Sequence, residues 1–460
     1  MKRLTIPTLI ALTAFLSNCT TVQRESPSTA PEFDIPADFR SIAAQEAPGS
    51  GLQPGWLEIF NDTKLNALVK EVLVRNFDLR IAAAKIEAAA ALAKQAGADL
   101  SPAVILALQG TNQGNMDSAL SEDISSVGVS LDIAWELDVW GRIRSGQRAA
   151  IEELVAAKMD YAYARLSLVA QTTKAYFLAI ETLRQQQLAE NNVANYVKTL
   201  EIVKAFFDEG MVSVQDVYLV RSEKAVAEDA LGNAQSAHLQ ALRSLETLLG
   251  RYPSAAVDIA GDLPGLPAPV PAGIPSEVLE RRPDIIAAER RVAAAFDETR
   301  EAKAARLPSI DLTGSLGSVS DGLSDLTNPA NIAWNVVSSL MFPFFDAGRL
   351  EGRVEAAEAF QKQALADYQK TALAAFGEIE TALSNETIFR RRAESLKIAY
   401  KHARLAEEIS IEKYKMGEGE LLDVLQLQRS TISTQSAYLR MEYDLLVQRV
   451  NLYLGLGGGF

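Results

Sequence analysis

The chain repeats itself at one nearly constant offset. The stretch NFDLRIAAAKIEAAAALAKQAGADLSPAVILAL from Asn76 matches RPDIIAAERRVAAAFDETREAKAARLPSIDLTG from Arg282. Asp78 pairs with Asp284 and Pro102 with Pro308, each 206 residues apart. Gly141-Arg142 pairs with Gly348-Arg349, Gly210 with Gly417 and Asp216-Val217 with Asp423-Val424, all at 207. Near the ends, LLG at Leu248 meets YLG at Tyr453. An offset held through helix, strand and turn positions marks a duplicated unit. The units are read as 61–252 and 276–460, joined by a Pro-rich connector over 253–275.

Each unit reads as helix, strand, strand, long helix, turn, long helix. In SVGVSLDIAWEL, Val127, Val129, Leu131, Ile133, Trp135 and Leu137 fall on one side of an extended chain, with Ser130, Asp132 and Glu136 on the other. The second unit alternates likewise. Ile310, Leu312 and Leu316 oppose Ser309, Asp311, Thr313 and Ser315, and Ile332, Trp334, Val336, Leu340 and Phe342 share one side of the last strand. The first unit opens its strand pair with PAVILALQGTNQ. No proline occurs between Pro102 and Pro253 or after Pro343, and residues 147–209 lack glycine as well. A continuous helix there would run roughly 90 Å. Its seam is expected at Val193, Tyr196, Val197, Leu200, Val203 and Phe207, with Gly210 as the stop before a return helix from about Val214 to Leu249. The RRPD stretch reads as a helix start, with Pro283 in the first turn and no chemistry attached.

The N-terminus sets the address. Lys2 and Arg3 precede an apolar run from Leu4 to Leu16, too short to span a bilayer and typical of a secretory signal over 1–18. It ends in LSNC, whose Cys19 is the sole cysteine and so has no internal disulfide partner. Residues 19–60 read as a tether and lead-in segment. The net charge of −14 argues against nucleic acid as a partner. Only His238 and His402 are present, neither at metal-ligand spacing. With no nucleophile elbow and no phosphate loop either, no enzyme and no cofactor is expected.

Four two-faced strands per chain are too few for a membrane barrel, whose smallest bacterial examples have about eight. An open sheet in lipid leaves its edges unpaired. Three chains would supply twelve strands and six helical hairpins. A lipid-anchored periplasmic coiled-coil scaffold is the rival reading, and it leaves the strands without a use.

The stretches PGWLEIFND at Pro54, LDVWGRIR at Leu137, GMVSVQDV at Gly210, LERRPDIIAAERRVAAAF at Leu279, FPFFDAGRL at Phe342 and GEGELLDVLQLQRS at Gly417 carry a family resemblance. The chain resembles the TolC-like outer membrane factors, in the lipoprotein branch that includes NodT-type proteins. The resemblance implies a mainly α fold with β, long helical hairpins forming a periplasmic tunnel and a trimeric twelve-stranded barrel in the outer membrane. It also implies a homotrimer that docks to a periplasmic adaptor and an inner-membrane pump of the resistance-nodulation-division type. The function expected is small-solute efflux, with type I protein secretion or metal-ion efflux as alternatives. LSNC resembles a lipobox, with Asn18 in place of the usual small residue, making Cys19 the expected site of lipid attachment. The family's closed aperture falls on Leu421 to Gln428: Leu422 matches an apolar constriction, and Gln426 stands where an Asp is common. Asp423 and Asp216 are the carboxylates expected nearby, among tip acids that also include Asp208, Glu209, Glu418 and Glu420. Gly210, Val212, Ser213, Gly417 and Glu418 mark the hairpin tips expected to meet the adaptor.

Overall fold

A computed structural model describes residues 36, 39–40, 55–113, 124–268 and 275–458. After a 3-10 turn at Trp56–Phe60 come α1 (Thr63–Arg75), α2 (Phe77–Ala98), β1 (Ala103–Gln113) and β2 (Ile124–Glu136). Two long helices follow, α3 (Arg142–Asp208) and α4 (Val214–Leu248). A short α5 (Pro275–Arg281) leads into the second unit: α6 (Pro283–Ala304), β3 (Ser309–Ser320), β4 (Ile332–Met341), α7 (Arg349–Lys415) and α8 (Leu421–Gly455). The helices of both units run 22, 67 and 35 residues, so the duplication survives to the residue. At 1.5 Å per residue, α3 and α7 are each about 100 Å long.

Local signals explain the boundaries. Both long helices start where an aspartate collects free N–H groups: Asp138 accepts from Ile143 and Arg144, and Asp346 from Gly348 and Leu350. Both hairpins turn at a glycine in the left-handed region, Gly210 at φ 73° and Gly417 at φ 77°. There Met211 N–H donates to Phe206 O, and Glu418 N–H to Lys413 O, closing each helix in a Schellman turn. The seam of α3 departs from the sequence reading at its lower end. Phe206 packs inward, 5.5 Å from the Tyr414 ring, while Phe207 is exposed. Thr199 takes a buried seam position, because 196, 199, 203 and 206 keep the alternating three-four spacing. Pro343 follows β4, leaving Phe342 beyond its last residue, Met341.

The main core is a belt around the middle of the helices. Trp56 stacks on Tyr453 at 5.1 Å, and Phe60 meets Phe177 edge-on at 5.2 Å. Phe39 is also buried there, so the lead-in segment contributes to the core. The connector is packed: Val257 is buried and Ile259, Leu263 and Leu266 lie against the same cluster. Polar ties hold it, from Lys64 Nζ to Asp258 and Ile259 O, and from Glu246, which accepts the N–H groups of Ala255 and Ala256.

Two joints run helices end to end. The Asn76 carboxamide caps α2 by accepting from Asp78 and Leu79 N–H, and donates to Leu248 O at the end of α4. At the equivalent place in unit two stands Arg282, which donates to Gly455 O at the end of α8. Arg282 is fully buried and also reaches Asp284, Glu378 and the Tyr163 hydroxyl. The helix-start reading of RRPD holds, with Pro283 in the first turn of α6, but it missed this hub.

Candidate channel wall and aperture

The sheet is antiparallel throughout, in the order β1-β2-β3-β4. Register decides which side chains share a face, because directly paired residues point the same way. Leu106 pairs with Leu131, Leu131 with Leu316, and Leu316 with Trp334. Trp135 pairs with Leu312. One face therefore carries Val104, Leu106, Leu108, Val129, Leu131, Ile133, Trp135, Leu316, Trp334, Val336 and Leu340 together. Most are exposed, Leu108 and Trp334 each at 77%. A continuous apolar face of this size does not face water. The other face carries Gln109, Ser130, Asp132, Glu136, Asp311, Thr313, Ser315 and Asn335. There Ser130 donates to Asp132, and Ser309 to Asp311, at 2.8 and 2.9 Å.

The sheet is open at β1 and β4. The helices repeat that pattern. In the strand-proximal half the neighbours run α2-α3-α6-α7, and toward the tips α4-α3-α8-α7. The joined α2 and α4 thus continue the β1 edge, and α7 continues the β4 edge. Both edges expose apolar residues: Phe77, Ile81, Val214, Tyr218 and Val226 on one side, and Ile398, Leu405, Ile409 and Met416 on the other. The α7 set is spaced seven, four and seven, the spacing of a helix seam without its partner.

The tips hold a second, smaller core of Tyr196, Val203, Val217, Val220, Tyr414, Leu421, Val424 and Leu425, which binds the two hairpins together. Leu422, Asp423 and Gln426 stand out of it into solvent, Leu422 at 62% exposure. Leu422 and Gln426 share one side of α8, one turn apart. Asp216 is engaged in a cap: its Oδ2 accepts from the Ser213 N–H at 3.0 Å and the Ser213 hydroxyl at 3.1 Å. Val212 packs against the tip core, whereas Gly210, Gly417 and Glu418 are exposed, along with Met211 and Met416. Cys19 lies outside the described residues.

Sequence reasoning missed the ties across the hairpins. Arg429 on α8 holds Glu223 on α4 in a bidentate pair, donating from Nη2 and from Nε, the latter at 2.9 Å. Buried Gln428 donates to Thr199 on α3 at 3.0 Å. Neither pair leaves a periodic signal, since the partners are more than 200 residues apart. His238 Nδ1 lies 3.2 Å from Thr182 Oγ1, and burial pushes its imidazole pKa down despite a hydrogen bond to the Ala179 backbone carbonyl. Among the described residues no helix is long and apolar enough to cross a membrane.

An apolar-faced sheet open at both edges, continuous with helices open at the same edges, is one sector of a ring. Fold and site define a channel protein of the outer membrane, barrel above and helical tunnel below. The chain belongs to the outer membrane efflux protein family, which matches residues 68–251 and again 274–458, one match per unit. The cation efflux system protein CusC of Escherichia coli O6:H1 is 31% identical over 418 residues, 88% of each chain. The antibiotic efflux pump outer membrane protein ArpC of Pseudomonas putida is 31% identical over 470 residues, 98% of this chain and 95% of that one. The OprN outer-membrane channel superposes with TM-score 0.85 at 30% identity, over 93% of this chain and 98% of the other. The CmeC channel of Campylobacter jejuni gives 0.88 at 25%, over 94% and 93%.

Proposed function

We propose that three copies of this chain close edge to edge, β4 and α7 of one against β1, α2 and α4 of the next, to form an efflux duct. The ring is the outer-membrane part of a tripartite system, fed by an inner-membrane pump of the resistance-nodulation-division type through a periplasmic adaptor. The two matching open edges carry this reading, because strand edges in lipid must be paired. Among the described residues, the belt of 55–75, 253–268 and 275–281 covers one face of the helix layer. Three belts inside the ring would leave no bore, so the belt lies outside and the opposite helix face lines the lumen. A soluble coiled-coil scaffold would have to leave the apolar sheet face in water.

The duct carries small solutes. Relatives of similar identity are described for cations, antibiotics, toluene and pyoverdine, cargoes too unlike one another for one channel wall to select. Selection therefore lies with the pump. At rest the hairpin end is shut by three copies of Leu422, with Asp423 and Gln426 beside it, and the adaptor opens it by gripping exposed tip residues around Gly210, Gly417 and Glu418. Cys19 carries a lipid that moors the N-terminus to the membrane. Labelled palmitate should enter the wild-type protein and not Cys19→Ser, and a wild type without label removes the anchor.

The barrel is tested by cysteines at Trp334 and Asp311. A lipid-soluble thiol reagent should label the first and spare the second, and a folded monodisperse monomer in mild detergent would sink the ring.

A further inference from the structure

Below the α6–α8 joint a crevice of about 500 Å³ opens between α3, α7 and α8, lined by Tyr163, Lys174, Glu378, Thr381, Gln448 and Asn451 among others. It borders the core at Ala382 and Leu454, and its polar side faces the other way: on α8, Leu446, Val450 and Tyr453 lie in the core, while Gln448 and Asn451 line the crevice. Lys174 is half-buried, and its Nζ donates to Asn451 Oδ1 at 3.1 Å. No carboxylate oxygen of the described residues lies within the 4.0 Å of an ion pair. Glu378, across the crevice, instead accepts at its Oε2 from Arg282 Nη1 at 2.8 Å. Burial lowers the Lys174 pKa, and Glu378 opposes this only through space. A desolvated ammonium held without an ion-pair partner costs folding energy that a structural role does not return. Where Gly377 forms part of the wall, a Cβ would meet nothing within 4 Å, so the pocket is room rather than packing.

We propose that this crevice is a transit site for the carboxylate group of a small solute, with Lys174 as the charged contact and Thr381 and Gln448 supplying further donors. The proposal rests on the reading that this helix face lines the lumen. Threefold symmetry then sets three such sites at one level of the bore. A net charge of −14 per chain repels anions at long range. A weak local contact lowers that barrier without trapping the solute, as conduction requires.

The test is planar-bilayer recording of the purified trimer with citrate added to one side. Citrate should reduce the wild-type current in a saturable way. In Lys174→Gln the concentration for half block should rise on the order of tenfold, the usual weight of a charged hydrogen bond. Lys174→Arg should keep the block. Absence of wild-type block, or equal block in wild type and Lys174→Gln, overturns the proposal. Lys174→Cys treated with a negatively charged methanethiosulfonate tests the lumen reading separately, against treated wild type. Altered current there with no Lys174→Gln effect on citrate rejects the site alone, and unaltered current rejects the lumen assignment and the site with it.

Discussion

At the scale of single residues, neighbours on α8 divide between those that hold the tip together and those proposed to close it. Leu421, Val424 and Leu425 are buried between the hairpins, and this presents Leu422, Asp423 and Gln426 outward. An apolar ring excludes hydrated ions, and adjacent carboxylates favour cations. Leu422→Ser combined with Asp423→Ala should raise single-channel conductance and weaken cation selectivity in planar bilayers. Both changes are at exposed positions, so the fold should tolerate them within about 0.5 kcal/mol. Unchanged conductance and selectivity would move the gate elsewhere. Asp216 is the weaker rival, since its carboxylate is spent on the Ser213 cap.

At the scale of elements, the duplicated joints show how one plan acquires two strengths. Asn76 ties two helix ends with neutral hydrogen bonds, whereas Arg282 brings a buried cation to the same place and binds α3, α7 and α8 around it. Removing Arg282 strands Asp284 and leaves Glu378 without its partner. Arg282→Ala should cost about 3 kcal/mol, the low end for a broken buried pair because Glu378 is half exposed. Asn76→Ala should cost about 1 kcal/mol, the usual price of a lost helix cap. Thermal unfolding of the detergent-solubilised protein measures both, and equal losses would mean that Arg282 acts only as a cap.

At the scale of the whole molecule, the sheet register makes a sharp demand on the bilayer. Leu131 and Ser130 are adjacent in sequence and lie on opposite faces. Leu131→Arg places a charge on the apolar face near mid-strand, at about 2–4 kcal/mol per chain and three times per ring. Ser130→Arg places the same charge on the polar face. The amount of trimer recovered from outer membranes should fall steeply for the first and hold for the second. Equal recovery would mean that the apolar face does not meet lipid.

Much of this architecture is written locally. Glycine, proline and aspartate spacing determined the duplication, the helix lengths and the hairpin stops, because helix starts and turns depend on residues a few positions apart. Strand alternation likewise determined the two faces, and the register then aligned the apolar positions of all four strands. What tertiary structure alone decided lies in contacts between distant residues. Phe206 rather than Phe207 enters the seam because Tyr414, on the other hairpin, fills the facing hole. Arg282 becomes a hub because α3, α7 and the end of α8 converge on it from 96 to 173 residues away. Among the described residues Lys174 has no ion-pair partner, and the carboxylate across its crevice, Glu378, is bound by Arg282 instead. A charge declares its type in the sequence, but its pairing depends on which helices the belt draws together.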